Sequence, residues 1–297
     1  MVSINFTPLL YFLENFFVQF GAVIAILFVA IKLKNFITQS ISNISYNDGY
    51  QSNRAGAFST FGYLVSTITI ILSAIPVNSS NYFDDIVSIF SIAGLGILFL
   101  IINRFLFRFI FLHNLNPLYE FNRENTAFAV FQSGNMVALS ILFFYSFNGY
   151  QFSIGSIVVG GSYFLISTSI LYLFSKIALL KKSYDYIREI QKINIAMAID
   201  GAMVFVSLAF LFGNTIHSIE RLDIVSILFV VLYFTISSLF LLFVSDFVTS
   251  LISTGNKKID KSIRDGNLVV AIKSGGSKIV LVSILVHTLP TNILIYQ

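Results

Sequence analysis

Apolar residues form long stretches that alternate with short polar connections along the whole chain. A bilayer core of about 30 Å requires roughly 20 mostly apolar residues per helix, and stretches of this kind predict eight transmembrane helices. The predicted helices cover residues 16–35, 54–77, 86–112, 126–147, 152–180, 195–214, 222–250 and 268–290. The pattern therefore predicts an all-α polytopic membrane protein.

Every even-numbered predicted helix begins at an asparagine, and the residues after it recur. The intervals between Asn53, Asn125, Asn194 and Asn267 are 72, 69 and 73 residues. Alanine follows four positions later in all four copies, and glycine nine positions later in three. The repeating unit is thus a pair of helices. Because two spans return the chain to the side that it left, the four pairs are parallel, which predicts pseudo-symmetry about the membrane normal.

The charges predict the orientation in the membrane. Nearly all of the 18 lysines and arginines lie in or beside the connections within helix pairs, and the connections between pairs contain only Arg221. Basic residues concentrate on the cytoplasmic side of membrane proteins, so both termini are predicted outside the cytoplasm, with the first helix retained. The net charge of +4 then reflects topology, and no nucleic-acid partner is expected.

Composition also removes several kinds of chemistry. Only 11% of residues are charged, against about 25% in soluble domains. The chain contains no cysteine, so thiolate catalysis and thiolate metal sites are excluded, and its three histidines lie far apart in sequence. No nucleophile with a matching base is visible. We expect no metal, no cofactor and no enzymatic activity.

The repeated asparagines carry a family resemblance. The segment NTAFAVFQSG from Asn125, with looser copies from Asn53, Asn194 and Asn267, resembles a bacterial membrane family, domain of unknown function 350. Its usual members have four helices, so the resemblance implies two fused four-helix units, 1–148 and 149–297. It further implies a location in the bacterial inner membrane and a membrane-stress or flotillin-like protein partner. The fused arrangement implies that shorter members dimerise, so self-association of this chain is also expected.

Several of the repeated residues have a structural interpretation. Asparagine is a favoured N-cap, although four converging helix N-termini would also favour an anion. Small residues on one stripe allow close helix packing in lipid, and polar residues at similar depth could line a wet path or bond between helices. The expected packing residues are Ala55, Gly62, Ala127, Gly134 and Gly276, and the expected polar stripe is Ser59, Thr60, Gln132 and Ser133.

Charged residues within the spans are the strongest functional signal. Asp200 and Lys273 both lie six positions after the asparagine of their copy, about 9 Å inside the helix. The helix before each of them carries a residue of the opposite charge. Lys176 lies in the helix before Asp200, and Asp246 lies in the helix before Lys273. A charge at that depth is costly unless paired or hydrated. Two arrangements remain open, namely Asp200 with Lys273, or Asp200 with Lys176 and Asp246 with Lys273.

These features support two functions. The first is a channel or transporter for small ions, with a polar site between helices. The alternative is a non-transporting membrane scaffold that recruits partners through its basic cytoplasmic linkers. Buried charge in a membrane favours transport.

Overall fold

The computed structural model describes residues 7–42, 53–76, 82–149, 152–182, 185–217, 224–252 and 259–288. Within these ranges the ordered elements are all helices. In chain order they are α1 (Thr7–Ser42), α2 (Arg54–Ala74), α3 (Tyr82–Phe111), α4 (Pro117–Asn122), α5 (Thr126–Phe147), α6 (Ile154–Leu180), α7 (Tyr186–Gln191), α8 (Ile195–His217), α9 (Ile224–Ile252), α10 (Ile259–Arg264) and α11 (Leu268–Thr288).

Eight of the described helices are long and apolar enough to cross a membrane, which confirms the all-α, eight-span prediction. They are α1, α2, α3, α5, α6, α8, α9 and α11. The observed ends differ by a few residues from those expected, and most at the first helix, which continues from Thr7 to Ser42. Large apolar side chains such as Phe109 and Phe83 are 79% and 69% exposed, as expected for surfaces that contact lipid.

Three short helices, α4, α7 and α10, lie outside the eight predicted spans. Each is followed by a residue in the left-handed region, with φ of 56° at Glu124, 61° at Ile193 and 85° at Gly266. The next residue is the repeated asparagine, which begins a membrane-length helix. The left-handed residue reverses the chain direction, so the short helix and the long helix join in a tight corner.

The helices that follow the asparagines, α2, α5, α8 and α11, are called the capped helices here. They form a row in which α2 packs on α5, α5 on α8, and α8 on α11. The remaining long helices pack beside this row, with α1 and α3 on α2, α6 on α5 and α8, and α9 on α8 and α11. The row places the third and fourth copies side by side.

Small residues allow the capped helices to approach closely. A Cβ atom added at Gly62 would overlap Ser133 of the next capped helix, and one added at Gly134 would overlap Ala202. Ala55 and Ala127, on the same stripe, are fully buried. These four residues therefore lie at helix contacts, where close approach replaces the hydrophobic driving force that is absent in lipid.

The fourth copy differs from the packing expected for Gly276. That residue is exposed, and a Cβ built on it meets nothing within 4 Å. The physical reason is its place in the row, since no described capped helix follows α11. The glycine that packs is instead Gly275, which faces Met203 of α8.

Candidate polar site between α8, α9 and α11

The four repeated asparagines begin their helices in the same way. The side-chain oxygen of each accepts the backbone N–H three residues later, at 3.0 to 3.2 Å. Such a cap satisfies one of the amides that a helix start leaves unpaired. No bound anion is needed to account for these residues.

Three of the asparagines also connect one repeat to the next, which the sequence did not reveal. The Asn53 side-chain amide donates to the Phe121 carbonyl at the end of α4. The Asn125 amide donates to the Ile190 carbonyl at 2.9 Å, and the Asn194 amide to the Arg264 carbonyl at 2.7 Å. Each asparagine therefore fixes its own helix and the short helix of the following copy.

Asp200 is the centre of a charged cluster between α8 and α11. It is 0% exposed, and its Oδ1 accepts hydrogen bonds from Lys278 Nζ at 2.6 Å and from Ser274 Oγ at 2.9 Å. Lys278 also donates to Ser274 Oγ at 2.7 Å. The carboxylate, the hydroxyl and the ammonium group thus form a closed triangle of hydrogen bonds.

A second lysine reaches the same carboxylate from beyond the end of α6. Lys182 Nζ lies 3.5 Å from Asp200 Oδ2 and 2.6 Å from Asp260 Oδ1. The cluster therefore holds two cations and two carboxylates, one of which is partly exposed on α10. Its formal charges balance, which lowers the cost of keeping it in a nonpolar environment.

This geometry corrects both predicted partners of Asp200. Lys273 and Lys176 are exposed, and the described cations beside Asp200 are Lys278 and Lys182. Asp200 faces α11, whereas Lys273, at the same position of the last copy, is exposed. Lys278 lies five residues later, which turns it by about 140°. The side chain of Asp246 lies outside the described residues.

Further polar side chains continue from this cluster along the buried faces of α8, α9 and α11. Thr249 of α9 and Ser277 of α11 share a hydrogen bond of 2.7 Å. Ser245 and Ser238 lie on the same stripe of α9, at spacings that repeat with the helical period, and Ser207 lies seven residues after Asp200.

Several atoms in this region have hydrogen-bonding capacity that the described protein atoms do not use. The hydroxyls of Ser207, Ser238 and Ser245 are buried without a hydrogen-bond partner, as is Oδ2 of Asp200. Buried polar atoms in native proteins nearly always have a partner, and water commonly supplies it. The three serine hydroxyls, called the hydroxyl track below, therefore each have capacity for a hydrogen bond to water.

The polar residues expected in the first two copies are separated from this cluster. Ser59 is buried, and Thr60 accepts a hydrogen bond from Lys34. Ser133 donates to the Phe58 carbonyl at 3.0 Å, so it bonds between helices. Gln132 lines a cavity in the first half of the chain. The expected stripe does not form one continuous path.

The comparisons with known proteins agree with the repeated architecture. A family model described as Domain of Unknown Function (DUF350) matches residues 6–147 and again residues 151–289. The chain belongs to the DUF350 family. Each DUF350 match spans two helix pairs, and the gap between the matches contains the predicted boundary at residues 148 and 149. The comparisons with curated proteins and with solved structures gave no match.

The polar site lies within the second DUF350 match. Asp200, Ser274 and Lys278 all fall between residues 151 and 289. The site needs both helix pairs of that match, because α8 supplies the carboxylate and α11 supplies the lysine. The family description assigns no activity, so the chemistry must be argued from these residues.

Proposed function

We propose that this DUF350 protein is a transport protein that moves a small ion or a proton across a membrane through the polar residues between α8, α9 and α11. The observation that carries the proposal is the complete burial of Asp200 within a membrane-length helix. Ionisable groups at such positions are rare and commonly mark ion or proton pathways. The predicted location is the bacterial inner membrane, with both termini outside the cytoplasm.

The cluster and the hydroxyl track have complementary roles in this proposal. Asp200, held by Lys278 and Ser274, is the charged site, and Lys182 with Asp260 forms its connection to the cytoplasmic edge. Ser207, Ser238 and Ser245 offer unpaired hydroxyls farther from that edge. An ion leaving the cluster would thus exchange one set of oxygen ligands for another instead of entering hydrocarbon.

Balanced charge is important to the mechanism. A cluster of two lysines and two carboxylates attracts neither cations nor anions strongly, so the site opens to an ion only when one of its pairs separates. The contact of 3.5 Å between Lys182 and Asp200 is longer than the 2.6 Å contact between Lys278 and Asp200. Separation of Lys182 from Asp200 is therefore the expected opening step.

Ion flux into liposomes that contain the purified protein tests this proposal. Wild-type protein should dissipate a proton, sodium, potassium or chloride gradient faster than empty liposomes, and Asp200→Asn should reduce that rate at least tenfold. Lys273→Met is the matched control, because it removes an exposed lysine from α11 without touching the cluster. Bilayers that stay tight to all four ions with wild-type protein would contradict transport.

A scaffold function is the second candidate, and exposed basic residues on α7 and directly after it support it. The side chains of Arg188 and Lys192 are 77% and 65% exposed, on the side predicted to face the cytoplasm. Substitution of both by glutamine should then remove partners that co-purify with the wild-type protein from native membranes. An unchanged set of partners would count against recruitment through α7.

A further inference from the structure

A second polar feature lies in the first DUF350 match, away from the Asp200 cluster. A cavity of about 80 Å³ is bounded by α1, α2, α3 and α5. Three cationic side chains line it, Lys34, Arg104 and Arg108, and the described lining contains no carboxylate. Lys34 is only 6% exposed. Its amine donates to Thr60 and lies 5.7 Å from the centre of the Tyr63 ring.

A buried amide adds specificity to this cavity. Gln132 lines it and is 5% exposed, and its side-chain oxygen has no hydrogen-bond partner among the described atoms. A buried acceptor of this kind costs stability unless a donor reaches it. The lining therefore offers positive charge for an anion and an acceptor for a hydroxyl group of the same molecule.

The rest of the lining is apolar, and the cavity reaches the surface of α3. Ile101, Phe105 and Met136 contribute apolar walls. Phe105 is 55% exposed, and Arg108 beside it is also exposed. Since α3 is long and apolar enough to cross the membrane, this surface faces the bilayer. A molecule with a charged head and an apolar tail matches both parts of the site.

We propose that this cavity binds the headgroup of an anionic phospholipid. Lys34 and Arg104 contact the phosphate, since lysine supplies a compact charge and arginine a planar pair of donors. Gln132 accepts from a headgroup hydroxyl, which favours a glycerol headgroup over a choline headgroup. The acyl chains lie along the exposed side of α3, and basic pockets between transmembrane helices on the cytoplasmic side bind such lipids elsewhere.

Lipid binding to the purified full-length protein tests the proposal. Phosphatidylglycerol and phosphatidylcholine of identical acyl composition are added to protein in neutral detergent, and bound lipid is counted by native mass spectrometry. We expect the affinity for phosphatidylglycerol to be at least tenfold higher. Arg104→Gln should remove most of this preference, and Gln132→Leu should weaken phosphatidylglycerol binding while leaving phosphatidylcholine binding unchanged.

The controls separate a specific site from general attraction to basic proteins. Lys273→Gln removes one positive charge from an exposed position outside the cavity and should leave the preference intact. A stability measurement on each variant shows whether it is folded. If Arg104→Gln does not fold, Gln132→Leu still tests the proposal, because it leaves all three cations of the cavity in place. Equal binding of both lipids to wild-type protein would overturn the proposal.

Inorganic phosphate distinguishes a lipid headgroup from a free anion. If the apolar walls contribute, phosphate at millimolar concentration should not displace bound phosphatidylglycerol. Displacement by phosphate alone would assign the cavity to a free anion and would overturn the lipid assignment. Lipid binding tests the cavity in the first half of the chain, and ion flux tests the transport proposal for the second half. Either proposal can therefore fail without deciding the other.

Discussion

Substitution of Lys278 by methionine removes the closest cation from Asp200 and leaves the carboxylate in place. Methionine keeps an unbranched chain of similar length, so packing against α8 changes little. The substitution breaks a buried ion pair in which Lys278 Nζ lies 2.6 Å from Asp200 Oδ1. Removal of one partner from such a pair costs about 3–5 kcal/mol. Because Lys182 remains 3.5 Å away, we expect the lower part of that range, about 3 kcal/mol.

The assay is thermal or denaturant unfolding of the purified protein in a neutral detergent, with Lys273→Met as the control. Lys273 lies on the same helix but is exposed, so its substitution should change stability by less than about 0.5 kcal/mol. In the double variant Asp200→Leu with Lys278→Met, both charges are absent, and much of the lost stability should return. Equal stability of the two single lysine variants would refute the assigned pairing.

Two further predictions concern the contacts between repeats, and both are measured by the same unfolding assay. Asn125→Ala should cost about 2 kcal/mol, since it removes a helix cap and the donor to Ile190, whereas Asn267→Ala, which removes only a described cap, should cost about 1 kcal/mol. Gly134→Leu should cost about 3 kcal/mol because it forces α5 away from α8, while Gly276→Leu enters open space and should be nearly neutral. Equal effects within either pair would contradict the row arrangement of the capped helices.

The sequence was sufficient for the spans because bilayer thickness sets helix length directly. It also located the helix starts, since an asparagine before an apolar run has a local meaning that needs no tertiary structure. The short helix α4 had a signal that could have been used, because Asn116 followed by Pro117 is typical of a helix N-terminus.

The partner of Asp200 required tertiary information. Equal positions in successive repeats suggested Lys273, but in a row of parallel helices the front of one helix meets the back of the next. Ser274 and Lys278 share the face of Ala271, which is fully buried, and their spacing of four residues was visible in the sequence. Knowledge of the row order was needed to decide which face α11 turns towards α8.

The connection from each asparagine to the next short helix was also beyond the sequence. The Asn194 amide and the Arg264 carbonyl are 70 residues apart, and no local pattern links them. Such a bond forms only because the asparagine of one copy lies beside the short helix of the next. No described copy follows Asn267, which makes only its cap among the described contacts.

Water access to the buried track between α8, α9 and α11 tests the central claim most directly. The chain contains no cysteine, so a single Ser207→Cys substitution can be labelled without background by a charged, membrane-impermeant methanethiosulfonate reagent in proteoliposomes. Leu208→Cys, at the next position and equally buried, is the control. The transport proposal predicts modification at position 207 and none at 208, whereas absence of modification at both positions would show a dry helix interface and contradict it.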